Sequence, residues 1–114
     1  MYTKIAVLGT GSAGLRHLTA IRSLDGVEPI AVPIRSARLT EMEADGFVTV
    51  PNLHSAALYG ACAAIIATDT ARHAEDALIA LEEGLDVFVE KPMAVDSAEG
   101  HQVLEQALIL GRRV

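Results

Sequence analysis

Lys4-Ile5-Ala6-Val7-Leu8-Gly9-Thr10-Gly11-Ser12-Ala13-Gly14 decides how the rest of this sequence is read. Lys4 to Leu8 is a short apolar run rich in branched residues, the pattern of a strand buried on both faces, and Gly9 ends it. From Ser12 to Leu24 the residues Leu15, Leu18, Ile21 and Leu24 recur every three positions, with Arg16, His17 and Arg22 on other faces. An amphipathic helix therefore follows at once, stopped near Gly26. Gly-x-Gly-x-x-Gly is common by itself; between a strand and a helix it acquires a physical meaning. Gly9 permits a tight turn, Gly11 has no side chain to hold off a pyrophosphate, and Gly14 lets helix and strand pack closely. The helix start directs its unpaired N–H groups and positive dipole end at the phosphates. Gly9, Thr10, Gly11, Ser12, Ala13 and Gly14 thus form a candidate dinucleotide-binding turn. Two other readings stay open: a strand-to-helix connection that binds nothing, and a turn for another ligand such as S-adenosylmethionine.

Working outward, strand-like and helix-like segments alternate. Pro29 to Ile34 reads as a second strand weakened by its prolines, Ser36 to Ala44 as a short helix with Leu39 and Met42 inward, and Phe47 to Val50 as a short strand. Ala63 to Ala67 is an apolar strand, and Ala74, Ala77, Leu78 and Leu81 then fall on one helical face that ends at Gly84. Asp86 to Val89 is the next strand. Asp96-Ser97-Ala98-Glu99 resembles a capping box, opening a helix whose inner face is Val103, Leu104, Ala107 and Leu108 and whose stop is Gly111. This order predicts one α/β domain over residues 1–114: an open, doubly wound parallel sheet of about five strands with helices on both faces.

Composition narrows the function classes. The 114 residues suit one domain and carry nine Lys plus Arg against fifteen Asp plus Glu, a net charge of −6. That balance argues against a nucleic-acid surface and against an anionic membrane surface. The longest apolar run, Ala61 to Ala67, is seven residues, far short of the ~20 that span a bilayer. Ile5 to Leu8 is too short for the core of a signal peptide. Cys62 is the single cysteine, so no internal disulfide and no zinc site built on thiolates is expected, and no metal site is assigned. The expectation is a soluble, cytoplasmic, globular protein.

Cofactor preference is read at the end of the second strand. An acid about 20 positions beyond the glycine motif would take the 2′-hydroxyl of NAD. Counting on from Gly14 reaches Ile34, flanked by Pro33, Arg35 and Ser36, with no acid present. Arg35 and Ser36, with Arg38, are suited to charge-assisted hydrogen bonds with a 2′-phosphate. The reading favours NADP over NAD, against the plainer alternative that both arginines are solvated residues at a helix start.

Four stretches resemble the N-terminal half of the glucose–fructose oxidoreductase, inositol dehydrogenase and rhizopine-catabolism family (Gfo/Idh/MocA). They are Ile5 to Gly11 running on to His17; Ile65-Ile66-Ala67-Thr68 followed by His73-Ala74-Glu75; Ala80 to Gly84; and Glu90-Lys91-Pro92-Met93-Ala94, similar to that family's Glu-Lys-Pro motif. The resemblance implies a Rossmann-type domain and roles for single residues. Lys91 would be catalytic, beside the nicotinamide and the reacting carbon and hydroxyl, stabilising negative charge on oxygen or holding the proton network there. Glu90 would end the fifth strand near the nicotinamide ribose, and Pro92 would fix the turn that aims Lys91. Thr68, Asp69 and His73 would line the cofactor crevice. For Lys91 and His73 the plainer alternatives are a surface lysine at a strand end and an exposed residue in a first helical turn.

The sequence also departs from the family. Asp69 stands where proline is usual, and Pro33-Ile34 replaces an acidic or small polar pair. Gly111-Arg112-Arg113-Val114 falls where the family begins a sixth strand and continues into a substrate-carrying domain. The resemblance therefore implies a chain that binds a dinucleotide and turns substrate over poorly by itself, since hydride transfer needs a closed, dry site. It also implies that Val87-Phe88-Val89 is a sheet edge half shielded by the final helix, available for a homodimer. A free-standing, non-catalytic dinucleotide module or sensor is the alternative; retention of Glu90-Lys91-Pro92 favours the oxidoreductase.

Overall fold

The alternation read from the sequence is the one the chain adopts in the computed structural model, which describes residues 2–91, 94 and 96–114. The elements run β1 (Thr3–Leu8), α1 (Ser12–Arg22), β2 (Val27–Val32), α2 (Ala37–Ala44), β3 (Val48–Thr49), α3 (Leu53–Tyr59), β4 (Ala61–Ile66), α4 (His73–Glu82), β5 (Asp86–Val89) and α5 (Ser97–Leu110), with a 3-10 turn at Thr70–Arg72. All the strand pairings are parallel, in the order β3-β2-β1-β4-β5. The winding direction reverses beside β1, which opens a crevice at the carboxyl ends of β1 and β4.

Strand alternation divides the core into two layers. Val7 and Ala31 face α1 and α2, packed with Leu18, Ile21, Met42 and Phe47. Ala6, Leu8, Ile30, Val32 and Ile66 face the other way, toward Leu53 of α3, Leu81 of α4 and Val103 of α5. Leu18 has no solvent exposure, a burial that contributes about 2–3 kcal/mol and seats α1 so that its start lies over the end of β1. Asp96 caps α5 by accepting from the Glu99 amide at 2.9 Å, the first half of the capping box read from the sequence.

Several local readings change: α1 ends at Arg22 and leaves Leu24 exposed, and β4 spans Ala61–Ile66 rather than Ala63–Ala67. β2 spans Val27–Val32 rather than Pro29–Ile34. Pro29 is tolerated inside it because of where its missing N–H points: the Val50 amide donates to the Ala31 carbonyl, so Pro29 also faces the β3 side, where β3 pairs only with Ile30 and Ala31. Pro33 then ends the strand and leaves Ile34, Arg35 and Ser36 off the sheet. α3 was absent from the reading; it is short, capped by Asn52, whose side chain accepts from Ser55 N at 2.8 Å. On α5 only Val103 and Ala107 are buried, while Leu104 and Leu108 stand exposed, because α5 rests on α4 and the sheet by a narrow stripe and the next position is turned about 100° away. Finally, β5 is the outer strand of the described sheet, yet its edge is not bare: the Val87 amide donates to the Arg113 carbonyl at 2.8 Å, and Arg113 N donates to Asp86 Oδ1 at 2.9 Å.

Candidate functional site

The three motif glycines do three different things. Gly9 has φ +95°, and a Cβ there would lie 2.6 Å from the Ala67 carbonyl oxygen, so β1 turns hard against the end of β4. A Cβ on Gly14 would lie 1.8 Å from the Gly9 oxygen. Gly11 is the opposite case: it has an ordinary φ of −74°, and a Cβ there meets nothing within 4 Å. Gly11 is also the N-cap of α1 and offers no side-chain acceptor to the first-turn N–H groups. Gly9, Thr10, Gly11 and Ser12 line a cleft of about 660 Å³, while Ala13 and Gly14 lie behind them in the first turn of α1. Open space before uncapped amides is what a pyrophosphate requires, so the corner fits a dinucleotide.

Two more walls complete the cleft. From the loop after β2 come Ile34 and Arg35, and from α2 comes Arg38. Arg38 braces the glycine turn: Nε donates to Thr10 Oγ1 at 3.3 Å, Nη2 to the Thr10 carbonyl at 2.5 Å and Nη1 to Glu41 Oε2 at 2.6 Å. Its charge is thus partly spent on Glu41, and Thr10 is buried beneath it. Arg35 is exposed on the rim. Ser36 is the N-cap of α2, with no capping bond from its side chain, and is not among the lining residues.

From the β4–α4 corner come Ala67, Thr68, Asp69 and Arg72. This corner is organised by Asp76, 3% exposed, which accepts from Thr68 Oγ1 at 2.8 Å and from Arg72 Nε and Nη2 at 3.2 and 3.3 Å. The hydrogen bond to Asp76 raises the Arg72 pKa above its ordinary value. Arg72 and Ile34 also border an adjoining hollow of about 250 Å³. No sequence reading singled out Arg72; its only signal was a cation in the corner after β4. His73 is buried, its Nε2 2.7 Å from the Thr68 carbonyl, and it is not among the cleft-lining residues.

The end of β5 lies outside this cleft. Glu90 follows β5 and its amide donates to the Ile66 carbonyl at 3.2 Å. His17 Nε2 hydrogen-bonds Glu90 Oε1, and this bond, ahead of smaller attractions from Arg16 and His73, holds the Glu90 carboxyl below the usual carboxylate range. The His17 ring meets Phe88 edge-on, with centroids 6.0 Å apart. Lys91 is exposed, and Pro92 lies outside the described residues. The sequence puts His17 off the apolar face of α1, at the end of the first family-like stretch, and offers no sign of its partner. Among the described residues, no cluster of three or more His, Cys, Asp or Glu is placed to hold a metal, and no helix is long and apolar enough to cross a membrane.

Residues 3–114 match the Gfo/Idh/MocA model, described as an oxidoreductase family with an NAD-binding Rossmann fold. This chain belongs to the Gfo/Idh/MocA family. Among its relatives, an inositol 2-dehydrogenase of Streptomyces avermitilis is 36% identical over 116 residues, covering 96% of this chain and 34% of the relative. A 4-carboxy-2-hydroxymuconate-6-semialdehyde dehydrogenase of Sphingobium is 31% identical over 111 residues, covering 91% and 34%. An NAD-binding protein from Listeria innocua superposes with a TM-score of 0.89 at 23% identity, covering 98% of this chain and 33% of the other, a likeness of fold. The chain therefore spans about a third of the length of the family members it matches.

Proposed function

We propose that these residues are the cofactor-binding part of a nicotinamide-dependent oxidoreductase acting on a hydroxyl or carbonyl carbon of a sugar- or polyol-like substrate. The observation that carries the reading is the open space at Gly11, in front of the uncapped start of α1 and inside the cleft. The pyrophosphate rests on the amides of Gly11 to Ala13, with Thr68 and Asp69 on the facing wall. When bound, the nicotinamide takes up or releases a hydride. Lys91, leaving the carboxyl end of β5, supplies an ammonium that stabilises charge on the substrate oxygen. A non-catalytic sensor has no use for that lysine. The two dehydrogenases whose names describe a polyol and a semialdehyde each match this chain over about a third of their length, which supports substrate choice residing elsewhere; the 114 residues alone bind cofactor and turn substrate over poorly.

The cofactor we favour is NADP. No acid stands at the end of β2, and Arg35 sits on the cleft rim there, with Arg38 and Arg72 adding positive charge in a chain of net charge −6. Arg38 acts mainly as a brace, so Arg35 carries the contact to a 2′-phosphate. Fluorescence titration with NADPH and NADH tests this. Arg35→Ala weakens NADPH binding by about tenfold or more, the worth of a charge-assisted hydrogen bond, and NADH binding little. Equal losses overturn the preference, and no binding of either nucleotide by the wild type overturns the function.

A further inference from the structure

His17 and Glu90 stand 73 positions apart and meet through one hydrogen bond. Their side chains are 26% and 32% exposed, and polar pairs that exposed add little to folding stability. Their geometry is nevertheless well defined. Phe88 and Glu90, two residues apart, share one face of the extended chain, and both meet the His17 ring. The Glu90 amide prolongs the β4–β5 ladder by one bond, so its backbone is set before its side chain is placed. His17 lies three residues beyond Gly14, on the helix that the glycine turn opens.

The location matters because β5 is an outer strand. Its hydrogen-bonded neighbour in the sheet is β4, and near its start the Val87 amide donates to the Arg113 carbonyl. At its carboxyl end, among the described residues, the side chains of Phe88 and Glu90 meet His17 of α1. We propose that His17 is a positioning residue: by holding the Glu90 carboxylate against α1, it sets where the chain leaves β5 at Lys91 relative to the glycine turn. The nicotinamide end of the site is thereby registered to its phosphate end. The proposal rests on the dinucleotide-binding reading above and adds a residue that acts through Glu90.

The test uses the 114-residue chain with two ligands, NADH and ADP-ribose, which lacks the nicotinamide. His17→Ala lowers NADH affinity by about tenfold, the worth of a charge-assisted hydrogen bond, and leaves ADP-ribose affinity unchanged, with the thermal midpoint lowered only as slightly as by Glu90→Gln. His17→Gln, which keeps an N–H donor at similar reach, restores most of the loss. The double variant His17→Ala with Glu90→Gln binds NADH no more weakly than Glu90→Gln alone, because both changes remove one contact. Equal loss for both ligands, no loss for NADH, absence of rescue, or additive losses would each overturn the positioning role while leaving dinucleotide binding intact. A wild type that binds neither ligand overturns the dinucleotide reading and the proposal with it.

Discussion

At the β1–α1 corner the site is made of backbone: amides at a helix start, a turn at positive φ, and a carbonyl that passes 1.8 Å from where a Gly14 Cβ would stand. At the end of β5, outside the cleft, the order is made by side chains: an imidazole, a carboxylate and a phenyl ring gathered from two distant parts of the chain. The first construction tolerates almost no substitution at two of its glycines, because main chain cannot move aside. The second is half-open to solvent and is held by contacts that contribute little to the fold. Two neighbouring strand ends of one sheet can thus differ in kind, one rigid because the fold itself enforces it and the other adjustable because only specific side-chain pairs keep it in register.

Substitutions that should affect one half and spare the other test this contrast. The largest effect belongs to Gly14→Ala, which drives a methyl group into the Gly9 carbonyl and costs about 3 kcal/mol or more in urea denaturation, at the upper end of overpacking penalties. A wild-type midpoint would mean that the corner yields after all. Next comes Gly11→Val, at an ordinary φ with nothing within 4 Å of its Cβ. The thermal midpoint falls by no more than the small cost of a poorer N-cap while dinucleotide affinity falls by about a hundredfold, ~2.7 kcal/mol; unchanged affinity would remove the turn from the binding site. Smallest is the acid response of Glu90. Its folded pKa is lowered by His17, so the stability it contributes is fully present above the usual carboxylate range and is lost as pH falls through the lowered value. The wild type should exceed Glu90→Gln slightly in denaturation midpoint at neutral pH, with the gap closing in acid. A gap that widens in acid would contradict the direction.

How much of this could be read beforehand depended on distance along the chain. The glycine turn was legible because three glycines, a preceding apolar run and a following three-residue period all lie within about twenty positions. The cap at Asp96 was legible for the same reason. α3 was missed because a seven-residue helix has too few turns to display a period, although Asn52 and Gly60 marked its ends. Leu104 and Leu108 were placed inward because periodicity identifies an apolar face without saying how wide a stripe the neighbour covers. Ile34 was placed in β2 because apolar character continues past Pro33, and only the pairing pattern shows where the ladder stops.

The alternation of strands and helices and the anion-seeking turn came from local periodicity and from glycine's missing side chain, properties that adjacent residues carry with them. That His17 meets Glu90, that Arg72 joins the cleft held by a buried Asp76, and that Arg38 braces Thr10 while Arg35 stays on the rim were settled only by the tertiary structure. Those contacts join segments from 28 to 73 positions apart, or depend on which face a helix turns toward the sheet. Nothing local records them; they exist because packing the two core layers brings the ends of the strands together.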